Sequence, residues 1–225
     1  MKKTYTTLLA FICFYSATFA QRNREFYSPM ADKGSLEIGA NIGLNFATVS
    51  SPQSNYYNYS QNTYSYTVGF NAAVSAEYYF SEKWSMKAKI IFDQKGWGGD
   101  YIQDQNGNYI PTTVRMNYIT VPLLAAIHFG RTKNWFVNFG PYVGFLLNAS
   151  ESALNTDLKP YLSSTDFGLA VGIGVKIPLT DKLKLLIEDD GQAGLLNILN
   201  SNPTNSGTAT NTRTSLNVGV LFSIK

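Results

Sequence analysis

The chain has 225 residues, 15% charged and 14% aromatic, and its formal net charge of +3 comes with no concentrated basic stripe of the kind that binds nucleic acid. Its single cysteine, Cys13, lies in the first twenty residues, which excludes disulfides, thiolate nucleophiles and cysteine metal sites from the remainder. No run of about twenty apolar residues follows, so a chain that enters a membrane must cross it with strands.

The N-terminal segment, residues 1–20, has the pattern of a cleaved secretory signal. A basic pair, Lys2–Lys3, precedes a short apolar stretch at 8–14, and Thr18-Phe19-Ala20 supplies small residues before the cleavage point. The apolar stretch is too short to cross a bilayer, and an uncleaved anchor is the alternative. Cleavage before Gln21 leaves 16 basic against 15 acidic residues, a net charge of +1.

Beyond a polar leader at 21–34, apolar side chains alternate with small or polar ones, which is the period of a β-strand. In the first such segment Leu36, Ile38 and Ile42 share one face, and Gly39 lies on the other. The pattern recurs along the chain and predicts strands at about 35–47, 64–80, 84–93, 113–129, 135–147, 165–177, 182–189 and from about 212 to the end.

Strand four is the least regular of these. Val114 and Tyr118 are out of phase with Ile119 and Val121. A bulge near Thr120–Pro122 would account for the shift, because proline cannot donate a ladder hydrogen bond and a bulge changes the phase by one.

The predicted connections alternate between long and short, so all the long ones fall at one end. The long loops cover 50–62, 94–112, 148–164 and 190–211, and the short ones 81–83, 130–134 and 178–181. Outer-membrane barrels have short periplasmic turns and long extracellular loops. The sequence therefore predicts an all-β domain at 35–225, an eight-stranded antiparallel up-and-down transmembrane β-barrel in the outer membrane with periplasmic termini.

A soluble lipocalin-like carrier for a small ligand shows the same alternation with its faces reversed. Long charged side chains would crowd its outer face, whereas here the polar face is mostly Gly, Asn, Ser and Ala, which suit a narrow interior. We expect the charges on that face to pair into a lumen network rather than to line a conducting pore: Glu37, Glu77, Lys87, Lys89, Lys176, Lys184 and Glu188. Aromatic residues beside the short turns predict a girdle at the headgroups: Tyr78, Tyr79, Phe80, Trp84, Trp135 and Phe136.

The order of several motifs resembles the PorT-like outer-membrane β-barrel proteins of Gram-negative bacteria. The motifs are Ala20-Gln21 at the cleavage point and the stretches 38–46, 118–124, 138–144 and 194–198. The resemblance implies a barrel in the outer membrane, and it carries no general activity. The sequence departs from this family at Glu188-Asp189-Asp190, where an aromatic-basic pair is common.

The chemistry-bearing residues do not suggest an enzyme. A lipid A-modifying barrel would need a histidine, a serine and an acid on the membrane-facing surface, but His128 falls on the polar face and no serine is apparent as its partner. We expect no cofactor and no metal ligands of transition-metal type. Weak Ca²⁺ binding by Asp100, Asp104, Asp189 and Asp190 at the cell surface is the alternative.

The loops are the best candidates for recognition, because tyrosine among small polar residues suits binding. These rings lie in the first two long loops: Tyr56, Tyr57, Tyr59, Tyr64, Trp97, Tyr101 and Tyr109. The alternative is an outer aromatic girdle. We therefore expect a non-enzymatic, monomeric protein with a structural, adhesive or secretion/assembly-accessory role, in contact with outer-membrane lipids and lipopolysaccharide and with a protein partner on either side.

Overall fold

The computed structural model describes residues 33–50, 65–103, 106–200 and 208–224. The predicted signal and most of the leader lie outside these ranges, as do the loop residues Tyr56, Tyr57, Tyr59, Tyr64 and Asp104.

Within the described ranges, eight strands close into one antiparallel barrel in which each strand pairs with its sequence neighbours and β1 pairs with β8. A 3₁₀-helix at Lys159–Tyr161 lies in the loop after β5, and no helix in the described part is long and apolar enough to cross a membrane. The strands are β1 Leu36–Ser50, β2 Thr67–Tyr79, β3 Trp84–Gln103, β4 Tyr109–Phe129, β5 Trp135–Glu151, β6 Thr165–Pro178, β7 Leu183–Gly194 and β8 Thr210–Ile224. The eight-stranded up-and-down prediction is confirmed.

The predicted loop at 94–112 is wrong, because β3 and β4 continue through it as a tall hairpin. The glycines that predicted a loop instead permit an irregularity inside the strand, because the β3–β4 register shifts between Trp97 and Asp100. Gly99 there has a φ of +75°, which favours glycine, and such bulges re-aim a strand without ending it. Gly107, with a φ of +84°, lies just before β4 begins at Tyr109.

The predicted bulge at Thr120–Pro122 is also wrong. The even-numbered residues of β4 point inward along its whole length, so Val114 and Tyr118 are in phase with Thr120 and face the lumen. The β4–β5 register instead shifts opposite Asn117 and Tyr118. Apolar residues that face the lumen break the alternation expected for a polar interior, and in the sequence they therefore resemble a change of phase.

The two faces are divided as a membrane barrel requires. Outward residues such as Ile42, 70% exposed, and Val171, 57% exposed, form an apolar surface, while Glu37 and Lys176 inside are almost fully buried. A soluble protein rarely exposes so large an apolar surface to water, so the soluble-carrier alternative is wrong.

The predicted girdle divides between the two faces. Tyr78, Phe80, Trp84 and Trp135 are exposed near the short turns. Tyr79 and Phe136 point into the lumen and are buried, because each has the opposite parity on its strand. Their placement in the girdle is wrong.

Candidate functional site

The lumen near the short turns is filled by a cluster of ionic hydrogen bonds. Lys176 Nζ donates to Glu37 Oε2 at 2.7 Å, to Glu77 Oε2 at 2.8 Å and to the hydroxyl of Tyr79 at 2.5 Å. Lys184 Nζ also bonds Glu37 Oε1. Alternation on β1, β2, β6 and β7 turns these side chains inward, where each carboxylate finds cations from the far side of the barrel.

His128 takes part in this cluster through a serine that the sequence analysis missed. Ser85 on the neighbouring strand β3 donates to Glu77 Oε1 at 2.6 Å and lies 2.9 Å from His128 Nε2. The same Nε2 is 2.9 Å from Glu77 Oε1. In a hydrolase triad the serine and the acid engage opposite ring nitrogens, and here both engage one. All three side chains are buried in the lumen, away from the lipid-facing surface.

A middle layer of charges continues the network. Lys87 Nζ lies 3.4 Å from Glu77 Oε2 and 3.6 Å from Glu188 Oε1, and it sits 4.0 Å from the centroid of the Phe136 ring. Lys89 Nζ is 2.7 Å from Glu188 Oε2 and 3.1 Å from an oxygen of Asp190. These contacts join β2, β3 and β7 across the lumen.

A third layer, nearer the long loops, adds charged residues that were not among the predicted lumen charges. Arg213 Nη1 donates to Asp190 Oδ1 at 2.7 Å, and Arg213 Nε lies 3.2 Å from Asp93 Oδ1. Lys95 Nζ donates to Asp166 Oδ2 at 3.0 Å. Five of these residues were missed although they continue the inward parity of their strands: Asp93, Lys95, Asp166, Asp190 and Arg213.

The charges of this network balance. Apart from His128, the ion pairs of the described lumen join six carboxylates and six cations: Glu37, Glu77, Asp93, Asp166, Glu188 and Asp190 with Lys87, Lys89, Lys95, Lys176, Lys184 and Arg213. The structure brings all seven sequence-predicted lumen charges into this set. A buried network with matched charges satisfies the pairing that a low-dielectric site demands.

An apolar core closes the lumen at the long-loop end. Inward residues of the strands meet three residues from the loops, Leu162, Ile198 and Ala209, which are 5%, 0% and 5% exposed. The core consists of Val49, Trp97, Val114, Met116, Tyr118, Leu146, Ala149, Leu162, Ile198 and Ala209. Trp97 belongs to it, with 7% exposure and its indole N–H donated to Asp100 at 3.1 Å. Trp97 is therefore a packing residue, and its place among the surface recognition residues is wrong.

Glu151 organises the turn that follows β5. It lies beyond Leu147, the last outward apolar residue of that strand, and therefore outside the apolar band. Burial raises the pKa of its carboxyl, but hydrogen bonds from the backbone N–H groups of Thr156, Ala153 and Leu154 and from a threonine hydroxyl outweigh this and lower the pKa to about 2.

The four aspartates considered for Ca²⁺ do not form a shared described site. Asp189 and Asp190 lie within β7, which extends to Gly194, and they point to opposite faces. Asp100 is engaged by Trp97, and Asp104 lies outside the described residues. In the described ranges no group of three or more His, Cys, Asp or Glu side chains is placed to hold a metal ion.

Comparison with known proteins agrees with this geometry. Residues 19–200 match the family described as outer membrane protein beta-barrel domain. The chain belongs to this family. It is accordingly an outer-membrane β-barrel protein in contact with membrane lipids, and the short turns of such barrels are periplasmic while the long loops are extracellular. No curated protein matches the chain.

Solved structures show the same fold at low sequence identity. OprG from Pseudomonas aeruginosa is 12% identical with a TM-score of 0.57, covering 88% of this chain and 99% of its own. AlkL, whose structure was determined by solid-state NMR in lipid bilayers, is 12% identical with a TM-score of 0.54. The match covers 91% of this chain and 97% of AlkL. At this identity the likeness extends to the barrel alone.

Proposed function

We propose that this protein is a non-enzymatic, non-conducting outer-membrane barrel that holds an extracellular loop surface for interaction with a partner. The observation that carries the proposal is the filled lumen. Ion pairs of balanced charge occupy it from Glu37 near the short turns to Asp166, and the apolar core around Ile198 covers its extracellular end.

Conduction would require this network to open. An eight-stranded barrel has an interior just wide enough for side chains, so an ion path forms only if pairs such as Lys176–Glu37 separate. Separating a buried ion pair leaves uncompensated charges, at a cost of about 3–5 kcal/mol. The apolar core above presents a second barrier, because ions do not cross a dry hydrophobic constriction readily.

An enzymatic role has little support from the same region. The Ser85, His128 and Glu77 side chains contact each other, but the serine hydroxyl already donates to the carboxylate at 2.6 Å. Burial in the charged lumen separates them from lipid substrates outside the barrel.

The surface available for recognition lies on the tall β3–β4 hairpin and its neighbouring loops. Tyr101 and Tyr109 are 61% and 73% exposed near the hairpin end, and Tyr161 is also exposed on the loop after β5. Rigid aromatic rings on a firm support provide contact area at low entropic cost.

The conducting alternative is tested in planar bilayers. We expect the purified protein to give no stepwise current in 1 M KCl, and Lys176→Ala together with Ile198→Ala to give flickering events if the two barriers are those described. Steady stepwise current from the unaltered protein would refute the non-conducting proposal.

The interaction role is tested in cells with a deletion strain complemented by Tyr101→Ser/Tyr109→Ser. We expect the variant to reach the outer membrane at normal levels yet fail to restore the deletion phenotype in secretion, adhesion or envelope assays. A matched variant, Tyr78→Ser, alters an exposed ring beside a short turn and should restore it. Full restoration by the double variant would contradict a role for the hairpin tip.

We also propose a mature chain that begins at Gln21, with both termini periplasmic and a monomeric state. Intact mass measurement of the outer-membrane protein tests the cleavage point. Protease accessibility of terminal tags in whole cells tests the orientation, and light scattering in detergent tests the monomer.

A further inference from the structure

One acidic side chain faces the lipid rather than the lumen. Asp189 on β7 points outward next to Ile187, and its partners across the neighbouring strands are Ile173 and Leu216. The outward residues of β6 from Phe167 to Ile177 are all apolar. A carboxylate in such a band is costly, and ionisable groups inside membranes commonly mark functional sites.

The bonding within the chain leaves this carboxylate weakly satisfied. Thr214 Oγ1 donates to Asp189 Oδ1 at 3.4 Å, which is at the long limit of a hydrogen bond. The neighbouring Asp190 has strong lumen partners, because alternation turns it to the other face. The strand therefore places one aspartate in an ion-pair network and the next in an apolar surface.

A groove of about 560 Å³ runs along the outside of the barrel, and Asp189 lies just beyond its lining residues. Thr214, the hydrogen-bond partner of Asp189, lines it together with Gly191, two residues further along β7. Leu169 and Val171 form an apolar wall, and other lining residues include Phe139, Ala193, Thr212 and Tyr66. A Cβ built on Gly191 would meet nothing closer than 3.8 Å, so a side chain fits at this position without a clash.

We propose that this groove binds an amphiphile that combines a single alkyl chain with a protonated amine. The chain lies against Leu169 and Val171, and the ammonium group pairs with Asp189 while donating to the hydroxyl of Thr214. An ammonium has three donors and a unit positive charge, and its attraction to a carboxylate grows in the low dielectric of the membrane. This binding site goes beyond the scaffold role proposed above and does not depend on it.

The test uses the full barrel in phosphatidylcholine nanodiscs, titrated with dodecylammonium, dodecanol and dodecanoate. Backbone amide chemical shifts of Gly191, Ala193 and Thr214 report on the groove, and those of Ala88 and Ala125 report on strands away from it. We expect saturable shifts at the groove amides with dodecylammonium, at least tenfold weaker apparent affinity for dodecanol, and none for dodecanoate.

Two variants separate the charge from the shape. Asp189→Asn keeps the size of the side chain and should lower dodecylammonium affinity at least tenfold. Gly191→Leu should block the groove, whereas Ala88→Leu adds bulk to the outward face of β3 and should leave binding unchanged. Folding of each variant is checked by heat-modifiable gel mobility.

Three results would overturn the proposal. Equal shifts with all three amphiphiles would indicate nonspecific partition into the bilayer. Unchanged affinity in Asp189→Asn would remove the ion pair from the argument. Groove shifts that follow protein concentration without any amphiphile would show that a second copy of the chain occupies the site.

Discussion

Removal of the Lys176 ammonium is the sharpest test of the lumen network. The change Lys176→Met keeps the length of an apolar stem and deletes the charge that bonds Glu37 at 2.7 Å and Glu77 at 2.8 Å. Breaking a buried ion pair from one side costs about 3–5 kcal/mol. Glu37 retains Lys184, and Glu77 retains Lys87 at 3.4 Å, so we expect a value near the lower limit, about 3 kcal/mol.

The measurement is urea unfolding in lipid vesicles, followed by tryptophan fluorescence and by gel mobility. The matched control is Lys182→Met, which removes an exposed lysine from a periplasmic turn and should change the free energy of unfolding by less than about 0.5 kcal/mol. The double variant Lys176→Met/Glu37→Gln should be less destabilised than the sum of its single changes by about 1–3 kcal/mol, because the charges balance again. A loss below about 1 kcal/mol, or simple additivity, would refute the view that these charges form one network.

Three other perturbations test separate parts of the barrel. Gly140→Ala would place a Cβ 2.1 Å from the Leu123 carbonyl oxygen and should destabilise the barrel by about 1–3 kcal/mol in urea unfolding. Gly191→Ala is the control, because a Cβ fits there, and it should be neutral. Equal effects of the two changes would contradict the close approach of the strands at Gly140. Ile198→Ala should loosen the extracellular core and speed amide hydrogen exchange in residues 195–200, while the midsections of the strands stay protected. Unchanged exchange in this loop would show that Ile198 does not hold it in place. The Glu151 carboxylate should stabilise its turn fully above its unfolded pKa of about 4.5, and this stabilisation should be lost as the pH falls toward 2. The backbone amide chemical shifts of Ala153 and Leu154 should titrate across that pH window. Persistence of the titration in Glu151→Gln would assign it to another group.

The period-two pattern was sufficient to predict the strand count, the inward charges and the membrane-facing surface. It failed where inward residues are apolar: Val114 and Tyr118 were read as a phase change, and Trp97 as an exposed loop ring, because the rule treats apolar residues as lipid-facing. Lys95 was missed for a related reason, since the glycines beside it suggested a loop that is in fact a bulged strand. The pairing partners themselves could not be read from the pattern, since they depend on the register of strands distant in sequence.

That dependence gives the network a further consequence for folding. Glu37 on β1 reaches Lys176 on β6 and Lys184 on β7, separations of 139 and 147 residues. A one-residue slip of β1 would turn Glu37 into the lipid, because successive side chains face opposite sides. Closure of β1 on β8 is therefore the arrangement in which Glu37 meets both cations. We infer that the buried charges select the register and the closed barrel, a role that ion pairs can perform even where they add little net stability. Replacement of the charge-balanced set Glu37, Glu77, Lys176 and Lys184 by apolar residues should then preserve much of the stability while raising the yield of misfolded or oligomeric species on refolding.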